Sequence, residues 1–220
     1  MKRINSIKLN DYYNHFLLQD YFSFDIRPYT SVVRFEPNEV ISQEGSKPTY
    51  LYYMLSGRAK LFLSQKKGSI LLINFLSAPC FIGEMELLDK EKSSDGITAV
   101  SACICFAVKI SDCGEKMLND TIFLQYLCRF LSHKAIGNTY HYSKNQSYPL
   151  RVRLASFILM TSIDGVYREQ HTEVAEFLGV TYRHLLFVLA EFVKEGLRLK
   201  TDGGYRINKI EELRKTAETQ

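Results

Sequence analysis

Long apolar runs are missing from this sequence of 220 residues, and none approaches the roughly eighteen residues that a membrane-spanning helix needs. The chain begins with Met1, Lys2 and Arg3 and continues into a polar segment, which is unlike the apolar core of a secretory signal peptide. The chain has five cysteines, an odd number, and without a secretory signal these indicate reduced thiols rather than disulfides. We therefore expect a cytoplasmic protein with no membrane partner.

The signatures of several enzyme classes are also missing. The sequence contains no Gly-x-x-x-x-Gly-Lys phosphate loop, no His-Glu-x-x-His zinc motif and no Gly-x-Ser-x-Gly nucleophile elbow. We therefore expect that the chain is not an enzyme.

A large excess of positive charge is missing as well. The formal net charge is +4, and from residue 151 onward 11 Lys and Arg residues stand against 10 Asp and Glu residues. Affinity for nucleic acid would therefore have to come from the positions of individual cations, which contact phosphates and release counterions, rather than from the total charge.

The first half of the chain has the composition of a β protein. Hydrophobic residues make up 46% of the sequence and charged residues 24%, which is ordinary for globular domains, and the length allows two of them. Between residues 31 and 110, short runs rich in Val, Ile, Leu, Tyr and Phe are separated by Gly, Pro, Asn and Ser, as in an all-β sandwich or barrel. The predicted strands cover residues 31–35, 51–55, 59–63, 70–75 and 102–108.

A long helix is predicted after these strands, from about residue 112 to residue 143. Apolar residues recur there at spacings of three and four, and the stripe that they form would pack either on the β domain or on a second copy of the chain. The stripe consists of Phe123, Leu124, Leu127, Phe130 and Leu131. Residues 144–149 (KNQSYP) predict a hinge, and Pro149 is suited to start a further helix over residues 150–162.

Residues 171–189 have the pattern of a helix-turn-helix. Gly179 supplies the left-handed backbone conformation that lets two short helices meet at a steep angle. Apolar residues recur at helical spacing on both sides of it, so each helix has one inward face. These residues are Val174, Ala175 and Leu178 before the glycine, and Val180, Leu185, Val188 and Leu189 after it. An ordinary helical hairpin with a glycine cap is the alternative.

The outward residues at the start of the second helix predict a surface that reads DNA. Tyr182, Arg183 and His184 occupy the part of a recognition helix that meets base edges in the major groove, and Arg183 is suited to guanine. Thr172 and Thr181 are expected to contact the DNA backbone.

The residues that follow predict a β-hairpin and hence a winged helix. Apolar and charged residues alternate over 197–200 and 205–207, with a turn signal at residues 201–204 (TDGG) between them. We expect the cationic side chains of this hairpin, Arg198, Lys200 and Arg206, to contact phosphates. For each of them a solvated position without a ligand is the alternative.

Three segments in the first half of the sequence resemble the corresponding segments of the Crp/Fnr transcription regulators. They are residues 35–45 (FEPNEVISQEG), 51–57 (LYYMLSG) and 81–84 (FIGE), and the order of elements is similar over nearly the whole chain. Residues 78–84 (APCFIGE), 131–134 (LSHK) and 181–186 (TYRHLL) are most similar to the YeiL-type members of that family.

The resemblance implies an α+β fold in three parts. These are an N-terminal β-roll (jelly-roll) like a cyclic-nucleotide-binding domain over residues 1–111, a long dimerisation helix over 112–143 and a winged helix-turn-helix over 144–220. It also implies a homodimer on two-fold symmetric double-stranded DNA, an effector that acts through the roll, and contact with RNA polymerase. A dimer is also expected physically, because one recognition helix covers only a few base pairs.

The chain departs from the cyclic-nucleotide binders of that family at one point. Those proteins pair the Gly-Glu of the roll with an Arg about ten residues later, which neutralises the nucleotide phosphate. Here Gly83 and Glu84 are present, but residues 94–99 read SDGITA, and no arginine lies between Arg58 and Arg129. We therefore expect no tight binding of cyclic AMP. Gly83, Glu84 and Thr98 are candidates for the pocket of another effector, and a structural role for Glu84, such as accepting backbone N–H groups, is the alternative.

The cysteines offer a second kind of sensor. Fnr-type members of the family hold an iron–sulfur cluster through four thiolates, mostly near the N-terminus. This chain has no cysteine before Cys80 and no Cys-x-x-Cys pair, but Cys103 and Cys105 would share one face of a strand. Cys80, Cys103, Cys105 and Cys128 are therefore candidates for a cluster, a metal or a redox pair, with small buried hydrophobic residues as the more common alternative.

Two functions stay open. The first is a sequence-specific, homodimeric DNA-binding regulator that is controlled at the roll by an effector or redox signal other than cyclic AMP. The second is a redox or small-molecule sensor that acts through a protein partner, with the winged helix as the docking surface.

Overall fold

A computed structural model describes residues 2–3, 12–13, 18–64, 70–201 and 204–218, without the side chains of residues 3, 70, 140–146 and 198–201. The chain forms two compact units, Met1–Lys134 and Ala135–Gln220. The predicted division at residues 111 and 143, with the long helix as a part of its own, stays a prediction. No described helix is both long and apolar enough to cross a membrane.

The first unit contains two antiparallel sheets. Their strands are β1 (Lys2–Arg3), β2 (Thr30–Phe35), β3 (Val40–Ser42), β4 (Tyr50–Ser56), β5 (Arg58–Ser64), β6 (Ile70–Ser77), β7 (Cys80–Ile82), β8 (Gly96–Ala99) and β9 (Cys103–Lys109). One sheet has the order β1-β2-β9-β4-β7 and the other the order β3-β8-β5-β6. The predicted β-roll is therefore confirmed, although the short strands β3, β7 and β8 were not predicted from the sequence.

The five-stranded sheet is buried on both faces, which explains its nearly continuous apolar strands. In β4, Leu51, Tyr53 and Leu55 belong to a core cluster on the helical side of the sheet. The alternating residues Tyr52 and Met54 belong to a second cluster between the two sheets. Because successive side chains of a strand point to opposite faces, a strand buried on both sides needs apolar residues at every position.

Within residues 18–64 and 70–134, three α-helices begin: α1 (Glu84–Leu88), α2 (Ile110–Leu118) and α3 (Thr121–Ser147). The prediction of a single helix over residues 112–143 was wrong at one place, because the chain breaks at Asn119 and Asp120. Asp120 is only 4% exposed, and its carboxylate accepts hydrogen bonds from the Ile122 N–H at 3.0 Å and the Ser23 N–H at 2.8 Å. An aspartate in this position caps the start of a new helix.

The apolar stripe of α3 packs on the β-roll of its own chain. Phe123 and Leu127 are fully buried in the cluster on the helical side of the sheet, and Leu124, Phe130 and Leu131 pack against it half-buried. Of the two predicted uses of this stripe, the structure therefore shows packing on the β domain.

A buried ion pair also ties α3 to the roll. The carboxylate of Glu84, a residue only 2% exposed, lies 2.6 Å from the Nζ of Lys134. Glu84 is the first residue of α1 and directly follows strand β7, so the pair joins an edge strand of the sheet to the connecting helix.

The second unit is helical with a small antiparallel sheet. Its elements are α4 (Leu150–Thr161), β10 (Val166–Tyr167), α5 (His171–Phe177), α6 (Tyr182–Lys194), β11 (Arg198–Thr201), β12 (Gly204–Ile207) and α7 (Ile210–Glu218). The strand order is β10-β12-β11. The predicted hinge over residues 144–149 was wrong for residues 144–147, because α3 continues to Ser147. Tyr148 and Pro149 separate α3 from α4, and Pro149 precedes that helix as predicted.

The ion pair between α3 and the roll should contribute measurably to stability. Replacing Lys134 with Met leaves the Glu84 carboxylate buried without its cation, and we expect the free energy of unfolding in urea to fall by about 1–3 kcal/mol. The double variant Glu84→Gln/Lys134→Met should lose less than the sum of the two single changes.

The matched control for that change is Lys109→Met. Lys109 pairs with Asp112 at the surface of the same unit, where both side chains are about half exposed, 47% and 49%. We expect this control to cost less than about 1 kcal/mol. Equal losses for Lys134→Met and Lys109→Met would contradict a stabilising role of the buried pair.

Candidate nucleic-acid interface

The turn between α5 and α6 is held by its own backbone. Gly179 has φ +63°, a left-handed conformation in which a side chain would be strained. The N–H of Gly179 donates to the carbonyl of Glu176 at 3.0 Å, and the N–H of Val180 donates to the carbonyl of Ala175 at 2.9 Å. This pair of hydrogen bonds is the Schellman motif that ends a helix at a glycine. The predicted helix-turn-helix therefore has the expected turn.

Helix α6 begins with a cap and continues with a buried face. The Thr181 hydroxyl accepts a hydrogen bond from the His184 N–H at 3.2 Å, which stabilises the first turn by about 1 kcal/mol. The inward residues of the helix are at most 4% exposed: Leu185, Val188, Leu189 and Phe192. From α5 and the turn, Val174, Ala175 and Leu178 are equally buried. The orientation of α6 is therefore determined by packing rather than by its exposed residues.

The residues predicted to read bases all lie at the surface. Tyr182, Arg183 and His184 form the exposed first turn of α6. Thr172 and Thr181, predicted to contact the DNA backbone, are also exposed, although the Thr181 hydroxyl oxygen already serves as the helix cap.

Four positions spaced three or four apart form the crest of α6, which we call the outer face: Arg183, Phe187, Ala190 and Lys194. At 3.6 residues per turn they lie within about 60° of one another around the helix axis, opposite the buried residues. All four are exposed, and Phe187 is 63% exposed. Phe187 was not predicted as a site residue, although its position four residues after Arg183 is the sequence signal that would have found it.

The predicted hairpin is present beside this helix-turn-helix. Strands β11 and β12 pair in an antiparallel register that puts Leu199 opposite Arg206 and Lys200 opposite Tyr205. Residues paired across such a ladder share a face, so position 206 lies on one face of the hairpin and positions 198 and 200 on the other. Arg206 is exposed. The side chains of Arg198 and Lys200 lie outside the described part of the structure.

The residues proposed for an effector pocket do not converge. Gly83, with φ +91°, lines a cavity of about 170 Å³ next to residues of the 41–50 segment. Glu84 and Thr98 are not among the described residues that line it: Glu84 contacts Lys134, and Thr98 lies in β8 opposite Val40 and Lys60. The structural alternative for Glu84 is therefore supported, but with Lys134 as the partner instead of backbone N–H groups.

The nucleotide-phosphate position of the family is also different here. Residues 94–95 lie at the end of the loop before β8, where Ser94 is buried and its N–H donates to the Ser46 carbonyl at 2.9 Å. Asp95 pairs with Lys92 at 3.4 Å. Neither residue provides the cationic fork that a cyclic nucleotide phosphate would need, so the residues present do not fit that ligand.

Three of the four candidate cysteines lie in one part of the core. Cys80, Cys103 and Cys105 belong to the cluster between the two sheets, whereas Cys128 is exposed on α3. In the described residues, no group of three or more His, Cys, Asp and Glu side chains is placed to hold a metal ion. The structure therefore adds no support for an iron–sulfur cluster.

Burial also suppresses the reactivity of these thiols. It raises the pKa of Cys80 to about 12 and the pKa of Cys103 to about 11, and it raises the pKa of Cys105 as well. Burial raises the pKa of Cys113, in α2, to about 11. Because the thiolate is the reactive form, these four residues resemble structural cysteines.

A labelling experiment tests this assignment. With an excess of a thiol-specific reagent at pH 8, we expect no rapid reaction of Cys80, Cys103, Cys105 or Cys113 in the native protein, so that any rapid label should be located at Cys128 by mass spectrometry. All five should react in denaturant. The variant Cys128→Ser should show no rapid phase, and rapid labelling of Cys103 or Cys105 in the native protein would contradict the assignment.

Parts or most of this chain are similar to known proteins and structures. Residues 32–120 match the family described as the cyclic nucleotide-binding domain. A protein named Regulatory protein YeiL, from Escherichia coli O157:H7, is 43% identical over 195 residues, which are 89% of this chain and 89% of that protein.

Two solved structures share the fold at low sequence identity. A Crp/Fnr-family transcriptional regulator from Thermus thermophilus, TTHA1359, has a TM-score of 0.69 at 19% identity and covers 86% of this chain and 98% of its own. TTHB099, a Crp-family regulator from the same organism, has a TM-score of 0.67 at 18% identity and covers 85% of this chain and 97% of its own. With a relative 43% identical over most of its length and this domain order, the chain belongs to the Crp/Fnr family of transcription regulators, in its YeiL-type subgroup.

Proposed function

We propose that this chain is a sequence-specific DNA-binding regulator in which α6 is the recognition helix. The observation that carries the proposal is the exposure of Tyr182, Arg183 and His184 in the first turn of a helix whose other side is buried. Recognition helices present such N-terminal residues to base edges in the major groove. Arg183 is the residue that we assign to guanine, because its fork can meet O6 and N7 together.

Contacts with the DNA backbone complete the proposed interface. Thr172 and Thr181 lie at the starts of α5 and α6, and the Thr181 hydroxyl can donate to a phosphate while its oxygen caps the helix. Arg206 extends from the wing as an exposed cation. Arg198 and Lys200 are proposed for the same role from the sequence alone.

The regulator is proposed to act as a homodimer on two-fold symmetric DNA. Because Phe123 and Leu127 of the stripe are buried by the β-roll of the same chain, a second copy has to pack on the half-buried and exposed positions beside them. Leu124, Cys128, Leu131 and Ala135 follow one another at the four-three-four spacing of a coiled-coil seam, and Cys128 and Ala135 are exposed. Contact with RNA polymerase belongs to the proposal through the family resemblance.

The effector is proposed to be a molecule other than cyclic AMP. The carboxylate of Glu84 is held by Lys134, and the segment that carries an arginine in cyclic-nucleotide binders carries Ser94 and Asp95 here. Redox control through Cys80, Cys103 and Cys105 is the less favoured branch, because their thiols are buried and protonated at neutral pH.

Calorimetry tests the exclusion of cyclic nucleotides. Titration of cyclic AMP or cyclic GMP into the purified protein should give no saturable heat at concentrations up to the millimolar range. Binding with micromolar affinity would contradict the proposal, because the nucleotide phosphate would then need a cationic partner that residues 94–95 do not provide.

One observation favours the alternative function, a sensor that acts through a protein partner. Leu186 and Phe187 on α6 are 37% and 63% exposed, and exposed apolar side chains can mark a protein interface. Selection from a pool of random duplexes separates the two functions. Enrichment of a palindrome with half-sites about one helical turn apart supports the DNA-binding homodimer, whereas no enrichment with or without reductant supports the alternative.

Two variants then test the assigned contacts on the selected site. Arg183→Ala should weaken binding by about 1–3 kcal/mol and relax the preference at one base position in each half-site. Arg206→Ala should weaken binding to all duplexes alike and reduce the slope of log K against log salt by about 1. If Arg183→Ala loses as much affinity on random DNA as on the selected site, as Arg206→Ala is expected to do, the assignment of Arg183 to a base is contradicted.

A further inference from the structure

The outer face of α6 carries an exposed aromatic side chain that the assigned contacts do not use. Phe187 is 63% exposed, while Leu185, two residues before it, and Val188, directly after it, are at most 4% exposed. It lies four residues after Arg183, so that the two side chains follow one another on the same crest of the helix.

Phe187 lies one turn after Arg183 on the crest that would enter the groove. The rise of 1.5 Å per residue separates the two positions by about 6 Å along the helix axis, which corresponds to about two base-pair steps of 3.4 Å. The next position on the crest, Ala190, is small and lets the helix approach the DNA. Glu191 and Glu195 come after it, so the part of α6 without acidic residues is limited to its first two turns.

We infer that Phe187 reads a thymine through its C5-methyl group, within about two base pairs of the base that Arg183 contacts. The thymine methyl is the one apolar group on the major-groove edges of the bases, and an aromatic side chain is one of its known partners. Phe187 has no hydrogen-bonding group, so it can discriminate bases only through such an apolar contact. The inference rests on the proposed function, since it needs α6 in a major groove.

Uracil substitution tests the contact directly, because uracil lacks only the methyl group of thymine. In the selected site, each thymine is replaced in turn by uracil in both half-sites, and dissociation constants are measured by fluorescence anisotropy. We expect one thymine position at which the full-length wild type binds more weakly, by about fourfold for each methyl removed.

Two variants assign that effect to Phe187. The variant Phe187→Ala should bind the thymine and uracil duplexes equally at that position. The matched control Val193→Ala removes another exposed apolar side chain from the flank of the same helix, 39% exposed, and should keep the full discrimination. Circular dichroism and thermal unfolding should show that both variants fold as the wild type does.

The outcomes distinguish this inference from the function on which it rests. A selected site at which uracil has no effect, or an effect that is the same in wild type and Phe187→Ala, overturns the assignment of Phe187 and leaves the DNA-binding function intact. If the selection enriches no site at all, the DNA-binding function fails and the assignment fails with it.

Discussion

The buried face of α6 is the constraint on which the proposed recognition of DNA depends. Leu185, Val188, Leu189 and Phe192 occupy the core of the second unit, and the Schellman turn at Gly179 holds the start of the helix. Because one side of the helix must be covered, the opposite crest with Arg183 and Phe187 must face outward. A rotation of α6 by one residue would bury His184 and Glu191 in one direction and expose Phe192 in the other, so packing keeps this crest in place.

Burial also determines which residues of the β-roll can contact a ligand. Its five-stranded sheet is covered on one side by the second sheet and on the other by helices, so its apolar residues are committed to packing. The carboxylate that cyclic-nucleotide binders turn toward a ribose is here paired with Lys134 of α3. A group that would contact a ligand in those relatives thus connects the roll to the helix, and a cavity lies next to Gly83.

Much of the fold was accessible from local patterns. The strands with strong apolar runs, the glycine turn, the helix after it and the hairpin that follows were predicted near their observed positions, because each is specified by residues close in sequence. The break at Asn119 and Asp120 was missed, since the capping role of Asp120 depends partly on the Ser23 N–H, 97 residues away. Strands β3, β7 and β8 were missed because each has only three or four residues and is stabilised by its neighbours in the sheet.

The sequence by itself determined the domain order, the family, and which residues surround the turn at Gly179, because those features depend on composition and spacing. The tertiary structure determined which side chains contact one another and which stay exposed. It paired Glu84 with Lys134, gathered three cysteines in a core that suppresses their reactivity, used the stripe of α3 for the roll, and left Phe187 exposed on the crest of α6. Contacts between residues far apart in the chain depend on how the sheets and helices pack against one another, and no local pattern carries that information.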